Sequence, residues 1–354
     1  MATPSSSLDD LLKRVSRSFY LSLAILPAAM REQVKAAYLV ARAADTIADT
    51  RLLPAARRLQ LLDALKAAIP ADADRHGIKH EVDALLPLLR DRAVGNEGER
   101  ELLQRVAEVL SLLVGFEDAD RQRAEKVIAT LITGMERDLQ RFPNAQPGDP
   151  PPVPVALDEL SDLDEHTYYA AGCVGEYWTL MCAAHVPGLE RLARPDFVAR
   201  GVRLGKALQL VNVLRDVPAD LAEGRCYLPA TMLDEVHVRP SDLGELSDPA
   251  LRRKVAPVIE SLRQRALGHV DAAFPYILAI PASQPRLRLA ALWPLWIGLG
   301  TLAKIRDAQD PLDPSTTIKI SRGDVYALMA ESIAVVGFDG WLEARHDARR
   351  SRAT

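Results

Sequence analysis

The stretch Gln209-Leu-Val-Asn-Val-Leu-Arg-Asp-Val-Pro-Ala-Asp220 sets four polar side chains, Gln209, Asn212, Asp216 and Asp220, at spacings of 3, 4 and 4. That periodicity belongs to one face of an α-helix; on a strand, neighbours on a face recur every second residue. Leu208, Leu210, Val211, Val213, Leu214 and Val217 fill the rest of the circumference, so the spacing predicts a helix buried nearly all round. Carboxylates on such a helix need ionic partners or a metal. Pro218 stands between the two aspartates and is expected to kink or end the helix there.

The first half of the chain holds a second stripe of the same kind. Tyr38, Arg42, Asp45 and Asp49 are spaced 4, 3 and 4, among Ala36, Ala37, Val40, Ala43, Ala44 and Ile47. Taken alone it reads as an ordinary amphipathic helix. Taken with the other, two aspartate pairs facing each other would make an oxygen-rich site suited to Mg²⁺, which prefers carboxylates, water and phosphate oxygens. Mg²⁺ implies a phosphorylated ligand, and Arg42 and Arg215 offer the forked donors that phosphate accepts. With apolar helices to shelter a hydrocarbon, the set predicts an enzyme that ionises an allylic diphosphate.

The remaining sequence sets the fold class. Pro54 and Pro70 bracket Leu59, Leu61, Leu62, Leu65 and Ile69, a helix with proline at its entry and exit. Segments 97–115, 118–141, 161–184 and 195–215 carry apolar residues at helical spacing, few segments alternate, and β-branched clusters are sparse, so the class is all-α. Seven prolines and glycines between Phe142 and Pro154 exclude helix there; the expectation is a surface loop within one domain spanning 1–354. The run Leu289 to Ala303, interrupted by Pro294, Gly298 and Gly300, is too short for a membrane span and reads as a kinked core helix.

Composition excludes several classes. At 48% hydrophobic and 26% charged, the chain is neither disordered nor a disulfide scaffold, and 44 basic against 48 acidic residues, a net −4, gives no field for nucleic acid. Cys173, Cys182 and Cys226 show no paired spacing, and Met1 to Asp10 lack a signal-peptide pattern, which fits a cytoplasmic protein with peripheral membrane contact left open. His76, His80, His185, His237, His269 and His346 have no metal-ligand spacing, and most are expected at the surface or at helix ends. Gly201 and Gly205 read as close helix packing, Trp293 and Trp296 as core, and Arg349, Arg350 and Arg352 as a short solvated basic tail within 345–354.

The residues Tyr38-Leu-Val-Ala-Arg-Ala-Ala-Asp-Thr-Ile-Ala-Asp-Thr50 and Gln209 through Gly224-Arg-Cys-Tyr-Leu-Pro229 resemble the two aspartate motifs of the squalene/phytoene synthase family. The resemblance extends through Ser16-Arg-Ser-Phe-Tyr20, Thr133-Gly-Met-Glu-Arg-Asp-Leu139, Ala171-Gly-Cys-Val-Gly175 and Lys319-Ile-Ser-Arg322. Asp45-Thr-Ile-Ala-Asp49 is similar to the squalene-forming type, whereas the phytoene-forming type usually opens this motif with two adjacent aspartates. The resemblance implies an all-α isoprenoid-synthase bundle with a central active-site cavity, joining two farnesyl diphosphates through presqualene diphosphate to squalene with Mg²⁺ and NADPH. By match to the motifs, Asp45, Asp49, Asp216 and Asp220 would hold the metal, and Tyr38 would sit close to the first motif. Ser16, Ser18, Arg42, Gln209, Asn212, Arg215, Lys319 and Arg322 would line the diphosphate region, with Arg225, Lys319 and Arg322 toward the cofactor.

Departures mark where the chain differs. His166 stands where the family usually has a tyrosine concerned with proton handling or cation stabilisation; a neutral imidazole can accept a proton, an imidazolium would repel a carbocation. Ala290 and Ala291 stand where some relatives carry aromatic bulk, and no Gly-x-Gly-x-x-Gly turn offers a Rossmann site for NADPH. Rival readings are an enzyme that stops at presqualene diphosphate or makes a phytoene- or dehydrosqualene-type product, and a non-catalytic helical assembly protein, whose expected mark is eroded aspartates. Oligomeric state leaves no signature in the sequence.

Overall fold

Helix dominates the computed structural model, which describes residues 7–16, 23, 25–50, 53–90, 97–143, 145 and 149–354. Ser18 lies outside the described residues. Contacts gather the chain into two units, Met1–Gln140 with Gln146–Gly148 and Arg141–Ala145 with Asp149–Thr354, which part company in the proline-rich stretch.

The first unit contains α1 (Leu8–Ser16), α2 (Ala28–Asp49), α3 (Ala55–Ala67), α4 (His76–Arg90), α5 (Glu97–Gln104), α6 (Val106–Val114) and most of α7 (Asp118–Arg141). Pro27 and Pro54 occupy the positions before α2 and α3 in extended backbone, where a missing N–H costs nothing. Met30, Val34, Ala37, Val40, Ala44 and Ile47 form the buried side of α2, which packs on α3 and α6. The Thr133–Leu139 motif is tied in through Lys66 of α3, whose ammonium donates to Thr133 at 2.8 Å and pairs with Glu136 at 2.9 Å.

The second unit runs β1 (Val155–Leu157), α8 (Leu160–Thr167), a π-helical turn Tyr168–Gly172, α9 (Cys173–His185), α10 (Pro195–Ala222), β2 (Arg225–Pro229), α11 (Ala230–Glu235), α12 (Pro249–Ala279), α13 (Pro285–Asp307), α14 (Arg322–Val335) and α15 (Asp339–Ala353). Its centre is α10, packed against α9, α12 and α13. Glycines allow one of those contacts: a Cβ at Gly175 would lie 1.9 Å from the Gly201 carbonyl oxygen, and one at Gly205 would lie 2.1 Å from that of Ala171. The two helix backbones touch there, as the Gly201 and Gly205 spacing suggested.

Four readings need correction. Pro218 neither ends nor breaks α10; the helix continues to Ala222, with Val217 and Leu221 buried on either side of the proline, and closes where Glu223 and Gly224 donate to Asp220 and Leu221 and Gly224 turns to φ 77°. A short parallel pair escaped the sequence, Val155 opposite Arg225 and Ala156 opposite Cys226, so part of the second motif is strand. Most of the histidines lie at the surface or at helix ends as expected; His269 and His346 are the exceptions, both buried, with His346 stacked on Phe274 at 3.6 Å. The terminal arginines are helical, not a loose tail, and only Arg352 is solvated: they belong to α15, where Arg349 pairs with Glu331 and lies over Trp296 at 4.7 Å, and Arg350 pairs with Asp271 at 2.7 Å. The α10 stripe is half-exposed at Arg215 and Asp216, although the other sides of the helix are buried. The run Leu289 to Ala303 is core helix in α13, and among the described residues no helix is long and apolar enough to cross a membrane.

Candidate active site

On α2, the helical repeat brings Arg42, Asp45 and Asp49 together one turn apart. The Arg42 guanidinium bridges Asp45 and Glu99, the latter reaching in from α5. Asp45 is 39% exposed, yet its carboxyl is pushed up to about 6. Loss of hydration is the largest cause, the charge of Asp49 the next, and Arg42 only partly offsets them. Tyr38 sits half-buried one turn before Arg42 and within its electrostatic reach. Glu99 was missed from sequence because its signal, a lone acid 57 residues away, exists only once α5 is folded against α2.

On α10, Arg215 forks onto its neighbour, Nε donating to Asp216 Oδ1 at 2.7 Å and Nη2 to Oδ2. Upstream the stripe forms a directed chain: Asn212 Nδ2 donates to Gln209 Oε1 at 3.5 Å, and Gln209 Nε2 faces His166 Nε2 at 3.3 Å. With its oxygen taken, the Gln209 amide has N–H to give, so the imidazole accepts at Nε2 and, when neutral, carries its proton on Nδ1. His166 comes from the last turn of α8 and packs against the ring of Tyr227 from β2, centroids 4.3 Å apart. Phe142 braces the other edge of Tyr227 at 5.1 Å. A small pocket beside this group is lined by Val213, Val217, Asp220, Arg225, Cys226 and Tyr227. Tyr227 was the second residue missed; the strand that turns it to His166 was invisible in the pattern.

The other expected residues are scattered. The Ser16 hydroxyl is buried and donates to Leu12 of its own helix at 2.6 Å. Arg225 pairs with Glu223 at the start of β2. Lys319 and Arg322 are exposed, Arg322 opening α14, and no hydrogen bond joins either to the α10 stripe. Tyr168, two residues after His166, spends its hydroxyl on Glu176 at 3.0 Å, and burial with that carboxylate pushes it up to about 12.

Each stripe offers two carboxylates, and among the described residues no group of three or more His, Cys, Asp or Glu side chains is set to enclose a metal. Two carboxylates fit Mg²⁺, which keeps much of its water and completes its shell with phosphate. The Asp45 carboxyl is raised first by loss of hydration and next by the charge of Asp49, and a cation would relieve the second of these. The residues proposed toward NADPH fit less well: Arg225 is paired with Glu223, and Lys319 and Arg322 stand exposed.

A family profile described as squalene/phytoene synthase matches residues 12–324. The squalene synthase of Schizosaccharomyces pombe is 24% identical over 328 residues, which cover 92% of this chain and 64% of that protein. The presqualene diphosphate synthase of Zymomonas mobilis is 30% identical over 281 residues, covering 78% of this chain and 77% of that one. A solved complex of TcSQS with the ligand E5700 shares the fold with a TM-score of 0.72 at 22% identity, over 98% of this chain and 94% of that one. The chain spans 64% of the length of the fission-yeast relative.

Proposed function

This chain belongs to the squalene/phytoene synthase family, and from that we propose that it is a prenyltransferase joining two farnesyl diphosphates head to head, through presqualene diphosphate, to squalene when NADPH is supplied. One observation carries the reading: two helices each present an arginine held on an aspartate with a second aspartate a turn further on. Asp45 and Asp49, and Asp216 and Asp220, would hold Mg²⁺, whose charge would stabilise the departing diphosphate.

The chain's own groups act around that event. Arg42 and Arg215 have forked donors matched to phosphate oxygens, and an incoming diphosphate competes with Asp45 and Asp216 for them. Breaking the C1–O bond of the first substrate leaves an allylic cation; the double bond of the second attacks C1, and loss of a proton closes the cyclopropane. His166, aligned by Gln209 and packed on Tyr227, is assigned to that proton. No reduction step is drawn through Arg225, Lys319 or Arg322.

A second reading stops at presqualene diphosphate, and the 30% identity to the presqualene diphosphate synthase of Zymomonas mobilis favours it. Incubation of the protein with farnesyl diphosphate and Mg²⁺, with and without NADPH, followed by mass analysis of the products, decides. Squalene only with NADPH supports the full sequence, presqualene diphosphate in both supports the shorter one, and absence of both from folded protein overturns the assignment. Asp45→Asn and Asp216→Asn are each expected to lower turnover by at least about a hundredfold with helicity intact.

A further inference from the structure

Four of the large apolar side chains that the described residues leave in solvent, Tyr326, Ile333, Phe338 and Trp341, fall within α14, α15 and the corner between them, each 58–67% exposed. Around them the outward residues are small: Ala330 and Ala334 on α14, Ala344 and Ala348 on α15, all exposed. Large apolar side chains left together in solvent call for a partner.

The corner is held from beneath. Arg288, almost fully buried in α13, donates to the Val336 carbonyl at 3.0 Å and pairs with Asp339 at 2.5 Å, fixing the turn that carries Phe338 and Trp341. Those two rings meet at 5.6 Å. The patch is a built prong, with its interior contacts already satisfied and its aromatic side turned out.

Charge chooses the occupant. On α14, Arg322, Tyr326 and Ile333 are spaced 4 and 7 and share a face; on α15, Trp341, Arg345 and Arg352 repeat the same spacing. Arg322, Arg345 and Arg352 are exposed, and Lys319 stands just ahead of α14. Of the acids, Asp324 caps α14 through Ser321, Glu331 is taken by Arg345 and Arg349, and Glu343 and Asp347 fall on the other flank of α15. Tyrosine and tryptophan with cations at the margin match the boundary between lipid tails and phosphate headgroups. We propose that the α14–α15 hairpin is a docking surface for an anionic lipid bilayer, with Phe338 and Trp341 entering the headgroup layer and Lys319, Arg322 and Arg352 meeting lipid phosphate. The proposal stands on this surface and not on the reaction assigned above. It gives Lys319 and Arg322 to lipid phosphate in place of substrate diphosphate.

The test is flotation of the full chain with vesicles of phosphatidylcholine alone and of phosphatidylcholine with phosphatidylglycerol. The expected result is binding to the anionic vesicles that weakens with salt. Phe338→Ser with Trp341→Ser should lower partitioning by at least about tenfold with circular dichroism and thermal unfolding unchanged. Arg322→Gln with Arg352→Gln should remove the preference for anionic vesicles. Failure of the native chain to float, or equal flotation of the Phe338→Ser/Trp341→Ser chain, overturns the proposal. So does a concentration-dependent dimer in light scattering that this double substitution abolishes without any vesicle binding, since a second copy then covers the face.

Discussion

Asp45 is the residue at which stability and chemistry pull apart. Its folded carboxyl titrates at about 6 against an ordinary 3.8, so the folded chain binds a proton more tightly than the unfolded chain does. The penalty is fully present above about 6 and disappears as the pH falls through that value to 3.8. Asp45→Asn should therefore stabilise the metal-free protein above pH 6 by about 1 kcal/mol, the full shift being discounted for the exposed carboxyl. Urea unfolding in the presence of a chelator would show it, and the gain should vanish below 3.8. At His166 the expectation concerns the proton: His166→Phe should slow cyclopropane closure by about tenfold or more while substrate affinity holds. Tyr227→Phe, which keeps the ring packed on the imidazole, should keep most of the rate and Tyr227→Ala lose it. Transient kinetics of presqualene diphosphate formation separate these outcomes. The aspartates and their arginines were legible because helical spacing alone aligns each set, and His166 only through the resemblance of its segment to the family's motif. Glu99 and Tyr227 were not, because their partners lie across the chain.

At the scale of the element, glycines give the sharpest contrast. Gly201→Ala would place a methyl 2.1 Å from Thr179 Oγ1 and 2.7 Å from the Gly175 carbonyl, forcing α9 and α10 apart. A loss of about 3 kcal/mol is expected. Gly268→Ala, exposed in the middle of α12 with nothing within 4 Å of the new methyl, should instead gain about 1 kcal/mol. Chemical denaturation of the two variants checks both signs. Helix existence was readable from period and proline punctuation, as α2, α3 and α13 show. Two features were not. Continuation of α10 past Pro218 depends on the burial of Val217 and Leu221, a tertiary effect that outweighs one missing hydrogen bond. The strands β1 and β2 are three and five residues long, too short for alternation to stand out.

For the molecule as a whole, two buried histidines set the acid limit. Burial is the first cause that holds His269 and His346 down to about 4; for His269 the nearby Arg203 and Arg265 add to it. Below an ordinary 6.5 the unfolded chain takes protons that these imidazoles refuse, so stability is retained above 6.5 and lost as the pH falls toward 4. The cost reaches about 3 kcal/mol for each histidine, and the urea midpoint should fall across that window, less steeply in His269→Gln and His346→Gln. Nothing in the spacing of histidines announced this; it is written in the packing of α12, against α10 and α8 around His269 and against α15 around His346. The π-helical turn Tyr168–Gly172 holds a last consequence, one of chain length. Between His166 and the glycines that seat α9 on α10, that wide turn absorbs the equivalent of an inserted residue. Removing one residue there would restore an ordinary helix and rotate everything upstream by about 100°, carrying the imidazole away from Gln209 while every residue named in the site stayed in place. In comparing this chain with its relatives, a single-residue gap at that turn therefore counts as a change of active site.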